Sequence, residues 1–185
     1  MKEVEIKARL RDKEQVMEKL RAFDCVFEKS VTQEDVVYAE HVGSLEKFRT
    51  NSVFLRIRIK DGKKILFTLK KRMANDLDAI EHEVEISAKE PLEQALFLMG
   101  YQKAISVAKT RIITHHNGCE ICIDEVTDLG SFIEMERLAE EGDSESMQEE
   151  MFRFFESLGI KKEDRMRSGY DILMFEQKEK KGAAI

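Results

Sequence analysis

The sequence has no tryptophan, one proline and only three cysteines in 185 residues. With one proline and no glycine- or serine-rich stretch, nothing reads as a linker. A single domain over residues 1–175 is therefore expected, followed by a charged, frayed tail over 176–185. The odd cysteine count (Cys25, Cys119, Cys122) and the lack of a secretory signal exclude a disulfide framework and point to reduced thiols. No run approaches the roughly 18 apolar residues of a helical membrane span. The chain opens directly on a charged strand, so a soluble, cytoplasmic protein without a targeting segment is expected. A net charge of -6 argues against nucleic acid or an anionic membrane as partner. The glycine cradles G-x-x-x-x-G-K-[ST] and G-x-G-x-x-G are both missing, which excludes the usual loop-based nucleotide sites.

What the sequence has in excess is charge. Asp, Glu, Lys and Arg make up 37% of residues, against about 25% in an ordinary soluble domain. Much of it follows a period of two. Glu3-Val4-Glu5-Ile6-Lys7 opens the chain, Glu83-Val84-Glu85-Ile86 repeats the pattern, and Ile133-Glu134-Met135-Glu136-Arg137 is a third variant. Strand side chains alternate between faces, so each copy sets both carboxylates on one face and apolar residues on the other.

Strands are expected over 2–10, 31–39, 53–60, 64–71, 80–87, 105–115, 119–125 and 132–138. Helical spacing instead marks 12–23, 91–101 and 144–159, the last with a capping-box pattern at Ser146 and Glu149. Asn117-Gly118 between alternating runs predicts a type I′ hairpin turn. Just beside it, His115, His116, Cys119 and Cys122 suggest a metal site. The odd offset between the two cysteines puts them on opposite faces of a strand, where they cannot share one ion.

The remaining strands sort the same way. Arg56, Arg58 and Lys60 oppose Leu55, Ile57 and Ile59, while Thr68, Lys70 and Arg72 oppose Phe67 and Leu69. Lys109 shares a face with Arg111, as Cys122 does with Asp124. Two arrangements satisfy this pattern. One is a sandwich of apolar faces with its charges in water. The other is a closed barrel with the charges inside and helices over the apolar outside. Three amphipathic helices favour the barrel, and they also exclude a membrane barrel, whose apolar band faces lipid. The expected fold is β-dominated α+β: an eight-stranded antiparallel closed barrel with a charged interior and amphipathic helices packed outside.

Such an interior must pair its charges or bind ions. Arg and Lys at alternate positions suit phosphate oxygens, and clustered carboxylates suit hard divalent cations such as Mg²⁺. A non-catalytic polyphosphate- or nucleotide-binding module would need only the cations; here the carboxylate positions are filled as well.

Six blocks in order, EVEIK, LRIR (55–58), TLK (68–70), EVE (83–85), KTR (109–111) and IDEVTDLGSFIEME (123–136), resemble the CYTH family of triphosphate tunnel metalloenzymes. Within it the chain is most similar to the class IV adenylyl cyclase-like branch, which includes cyclases, thiamine triphosphatases and inorganic triphosphatases. The resemblance implies a tunnel open at both ends. By motif, Lys7, Arg56, Arg58, Lys70, Lys109 and Arg111 are then expected to hold the triphosphate. Glu3, Glu5, Glu83, Glu85, Asp124, Glu134 and Glu136 are expected to hold one or two Mg²⁺ or Mn²⁺ ions and to orient the nucleophile. Lys7 and Glu5 are the catalytic candidates, and Lys7 is expected to have a pKa lowered by its cationic neighbours. Ser168-Gly169-Tyr170 stands for the family's Ser-Tyr and is expected at the tunnel rim. The implied reaction is conversion of ATP to cyclic AMP and pyrophosphate, with hydrolysis of tripolyphosphate or thiamine triphosphate as the alternative. Homodimers are common in this branch.

Overall fold

The structure is a computed structural model, and it describes residues 2–73, 75–139 and 144–182. Eight strands form the body: β1 (Lys2–Arg9), β2 (Val31–Ala39), β3 (Val53–Lys60), β4 (Lys64–Arg72), β5 (Asp78–Ile86), β6 (Gln102–His116), β7 (Cys119–Val126) and β8 (Gly130–Ala139). Every expected strand is present, with each end shifted by at most three residues. Their order is β5-β4-β3-β2-β6-β7-β8-β1, antiparallel throughout, and β1 pairs back onto β5 through Glu3↔Ala79 and Val4↔Asp78. The sheet is thereby closed into a barrel. A short β9 (Arg165–Met166) adds to β1 beside Lys7 and Ala8.

Closure is possible because helices take up the apolar outside. Helices α1 (Lys13–Ala22) and α4 (Ser144–Ser157) press Val16, Leu20, Met151 and Phe155 onto Ile6, Ile121, Ile123 and Ile133. Helix α3 (Lys89–Leu98) sets Leu92 and Leu96 on Tyr38, Leu55 and Ile57. The expected capping box is not formed. Helix α4 already includes Ser146, and the Glu149 carboxylate reaches Arg165 instead. Asn117 (φ 49°) and Gly118 (φ 74°) both adopt the left-handed backbone that a type I′ turn requires. Beyond that turn, Cys119 joins the outer core, while the Cys122 Sγ lies 3.3 Å from a Glu120 carboxylate oxygen inside the barrel. The two thiols do occupy opposite faces.

Two helices were not expected: α2 (Leu45–Arg49) and α5 (Tyr170–Lys180). Helix α5 runs through Lys180, so the tail expected to fray from residue 176 is helical that far, and its residues 183–185 lie outside the described residues. This helix also corrects the expectation of a tunnel open at both ends. At one end the inward-facing positions change from charged to apolar: Val37, Ile105, Val107, Val126 and Phe132. Tyr170, Ile172, Leu173 and Phe175 of α5 pack among them and fill that end. Apolar surface facing inward has to be covered, and α5 covers it. Among the described residues, no helix is long and apolar enough to cross a membrane.

Candidate active site

The remaining barrel interior is a cavity of about 300 Å³, lined by eight basic and ten acidic side chains. The two signs occupy opposite arcs of the wall. Cations come mainly from β4, β3 and β6, with β2 between the last two, and carboxylates from the run β7, β8, β1 and β5. Glu3, Glu120 and Glu136 also line a surface depression with His115 and Arg137, which places them at the mouth.

All six expected phosphate-binding cations line this cavity: Lys7, Arg56, Arg58, Lys70, Lys109 and Arg111. Lys60 and Arg72 join them. Of the expected carboxylates, Glu3, Glu5, Glu83, Glu134 and Glu136 line it too. Asp124 is fully buried behind the wall and holds cations in place rather than facing the cavity. Glu85 is the one expected residue that the structure leaves outside: it is exposed and pairs with Lys64 at 3.2 Å. Glu81, four residues earlier on the same face, stands in the cavity in its place, against Lys70 and Arg56. Alternation along the strand made Glu81 as eligible as Glu85, since residues two apart share a face.

Three further residues carry the site. Asp35 forks onto Arg58, with both N–H···O contacts at 2.7 Å. Glu120 sits beside Cys122. Tyr170, expected at the rim, lies at the closed end, buried, and its hydroxyl donates to Asp124 at 2.9 Å. Asp35 was readable from alternation with Gln33 and Val37, whereas Tyr170 carries no strand signal at all.

The cations are almost all engaged by carboxylates. Lys7 Nζ lies 2.9 Å from Glu134 and 3.1 Å from Glu5. Arg111 donates to Asp124 at 2.7 Å and also reaches Glu134, and Lys109 reaches Asp124 at 3.2 Å. Burial pulls the Lys7 pKa down, but Glu134 and Glu5 outweigh it and the net shift is upward. Lys7 is thus held as an ammonium, which corrects the expectation of a lowered pKa. The lowered lysine is Lys109, through burial and then the neighbouring Arg111. Burial would raise Glu134 and Asp35, yet Lys7 and Arg111 hold Glu134 low and Arg58 holds Asp35 low.

The mouth-side carboxylates behave in the opposite way. Burial, then Glu81, lifts Glu3 to about 8; burial, then Glu5, lifts Glu136 to about 7; burial, then Glu134, raises Glu5. Lys7 lies 3.1 Å from the buried Glu5 Oε1 as its ion-pair partner. A hard divalent cation, Mg²⁺ or Mn²⁺, would displace these protons and relieve the crowding of the carboxylate oxygens. Among the described residues no three of these side chains already converge on one point. An ion held here would complete its coordination with water or phosphate oxygens, as Mg²⁺ commonly does.

The shifts have a sign that can be measured. The folded-state values of Glu3 and Glu136 lie above the ordinary 4.5. Their contribution to stability is present below about pH 4.5 and is lost as pH rises through about 7 and 8. With chelator present, the melting temperature is expected to fall between about pH 5 and 9, and Mg²⁺ to reverse most of the fall at the alkaline end. A melting temperature independent of pH in that window would contradict the crowding of these carboxylates.

A closed antiparallel barrel with opposed cationic and acidic arcs defines the class, a charged-tunnel protein. The CYTH domain family model matches residues 1–170, and the chain belongs to that family. A candidate adenylate cyclase of Methanocaldococcus jannaschii is 31% identical over 173 residues, spanning 92% of this chain and 97% of that protein. The PH1819 protein of Pyrococcus horikoshii has the same fold with a TM-score of 0.78 at 29% identity, covering 95% of this chain and 99% of that one. A more distant likeness, of fold alone, is to HpAC1 from Hippeastrum, a candidate adenylyl cyclase with a dominant triphosphatase activity. It is 18% identical with a TM-score of 0.57, over 91% of each chain.

Proposed function

We propose that the protein is a divalent-metal-dependent enzyme acting on the triphosphate group of a small molecule, and that hydrolysis of a linear triphosphate is its reaction. The observation that carries this reading is the opposed wall of the closed-ended cavity. Its basic arc offers Arg56, Arg58, Lys70, Lys109 and Arg111 to phosphate oxygens, and its acidic arc offers Glu3, Glu5 and Glu136 to a cation. A polyanion is drawn to the basic arc, but its approach to the acidic arc is repulsive wherever Glu3, Glu5 and Glu136 ionise. Entry together with divalent cations removes that repulsion.

The charged chain of the substrate exchanges places with the carboxylates that now engage the arginines, Asp35 on Arg58 above all. Arginine forks suit that exchange because carboxylate and phosphate present similar oxygen pairs. Lys7, held charged, stabilises negative charge developing at the deep end, and Glu5 orients the attacking oxygen. The metal supplies Lewis acidity toward the phosphoryl oxygens when bound. Positioning and electrostatics do most of the work in such reactions.

Hydrolysis is favoured over ring closure by the lining. Its described aromatic residues are Phe54 and Tyr170, and both rings already carry cations where a purine would stack, Arg72 over Phe54 and Lys7 with Lys109 over Tyr170. The second reading is cyclisation of ATP to cyclic AMP and pyrophosphate, which the likeness to the Methanocaldococcus jannaschii protein supports.

One assay separates the readings. ATP, thiamine triphosphate and tripolyphosphate are offered with Mg²⁺ and separately Mn²⁺, and phosphate and cyclic AMP are quantified together. Phosphate without cyclic AMP is the expected result. Cyclic AMP with pyrophosphate would establish the cyclase. No product from any substrate, with a thermal shift on adding tripolyphosphate alone, would make this a binding module.

A further inference from the structure

We propose that Tyr170 is a positioning residue that sets how deep a phosphate chain enters the tunnel, by holding Lys7 and Lys109 over its ring at the closed end. The inference rests on the triphosphate reading above and adds to it the register of the chain.

The geometry is a small assembly at the bottom of the cavity. Lys7 Nζ lies 4.0 Å from the centroid of the Tyr170 ring, and Lys109 Nζ lies 4.8 Å from it. Both are within the range in which an ammonium is attracted to an aromatic face. The ring is fixed from the side by Phe132, edge to face, with centroids 5.2 Å apart at 67°. Its hydroxyl donates to Asp124 at 2.9 Å, and the same carboxylate accepts from Lys109 at 3.2 Å and from Arg111 at 2.7 Å. Ring, two ammoniums and carboxylate therefore move as one unit.

Lys7, Lys109 and Asp124 come from strands β1, β6 and β7 of the wall, and helix α5 supplies the ring that joins them. Asp171 at the start of α5 pairs with Arg72 of β4 at 3.3 Å. Gly169 makes the tight entry into the helix, where an added Cβ would come within 2.4 Å of an Asp171 carboxylate oxygen. Beyond the ring lies the apolar packing of α5, which no phosphate can enter without losing its solvation. A phosphate chain advancing from the mouth therefore ends on two ammoniums backed by an aromatic plate. How many phosphates fit is the distance from that plate to the mouth.

The test is a length series. Pyrophosphate, tripolyphosphate and tetrapolyphosphate are assayed with Mg²⁺ for KM and kcat on wild type, Tyr170→Phe and Tyr170→Leu. Wild type is expected to prefer tripolyphosphate. Tyr170→Phe keeps the ring and is expected to preserve the ratio of kcat/KM between lengths within about twofold. Tyr170→Leu removes the plate and is expected to lose the preference for three phosphates over four by about tenfold, chiefly in KM, the size set by losing desolvated cation–π contacts. An unchanged ratio in Tyr170→Leu, or a ratio lost equally in Tyr170→Phe, overturns the proposal. Should Tyr170→Leu fail to fold, Tyr170→Trp carries the test: its larger ring raises the floor and is expected to shift preference severalfold toward pyrophosphate, and an unshifted ratio overturns the proposal. If wild type turns over none of the three, the hydrolase reading fails separately. The rank order of thermal shifts across the lengths, wild type against variants, then decides the role of Tyr170.

Discussion

Asp124→Ala is expected to lose about 3–5 kcal/mol of folding stability, the range for removing one partner of a buried ion pair. The residue is 0% exposed. It accepts from Lys109 at 3.2 Å, from Arg111 at 2.7 and 2.5 Å and from Tyr170 at 2.9 Å. Deleting the carboxylate leaves two cations in a region from which water is largely excluded. Arg111 keeps Glu134, but Glu134 is also the partner of Lys7. A typical domain has only about 5–15 kcal/mol of stability in total, so the loss is a large share of it. Urea denaturation at neutral pH reads it as a lowered midpoint with unchanged slope. A change below about 1 kcal/mol would mean that Asp124 is not the keystone of the floor. Because tripolyphosphate supplies the anion that the variant lacks, its addition is expected to raise the variant's melting temperature more than that of wild type.

Glu136→Gln is expected to act in opposite directions on stability and on activity. Glu136 faces Glu5 across the β1–β8 ladder and has Glu120 opposite it on β7. Burial and then Glu5 raise its pKa to about 7. At pH 8 the wild-type side chain is mostly ionised at a cost to the fold, and the neutral amide removes that cost. The variant should therefore melt higher than wild type at pH 8 in chelator. At pH 5, where the wild-type carboxyl is already protonated, the difference should vanish. Activity should move the other way. Loss of one charged oxygen donor from the cation side of the site is expected to lower turnover by about 100-fold or more, comparable to removing one preorganised electrostatic contact at a reacting centre. A gain of stability at the expense of activity is the ordinary signature of a site residue kept under strain. If Glu136→Gln is active and no more stable than wild type at pH 8, Glu136 belongs to neither the crowded cluster nor the metal side.

Most of the barrel wall was legible along the chain because alternation is a local property. Once Arg56, Arg58 and Lys60 are known to share a face, no distant residue is needed to say that they point together. The choice between sandwich and barrel was also within reach, since helices with one apolar stripe have to cover something. Helix α5 escaped that logic. Ile172, Leu173, Met174 and Phe175 are buried at consecutive positions, so the segment has no single stripe, and its place inside the barrel end leaves none to be read.

The exchange of Glu85 for Glu81 has a related cause. Both share a face with Glu83, and the tilt of strands in a closed barrel decides which end of that row reaches the cavity. The ionisation of Lys7 is further still from the local sequence. The cations expected around it in the site suggested a depressed pKa, but the residue opposite it on β8 is Glu134. That register reverses the sign.

The sequence by itself determined the alternation of charge and apolar residues, and with it the strands, their inward faces and the composition of the wall. Periodicity of two acts between neighbours, and no tertiary contact is required to impose it. Only the tertiary structure decided which cation meets which carboxylate, which end of the tunnel is closed, and that Tyr170 forms its floor. Those outcomes depend on register, on barrel tilt and on where α5 docks. Each brings together residues far apart in the chain, and the energy of a buried charge is set by such distant partners.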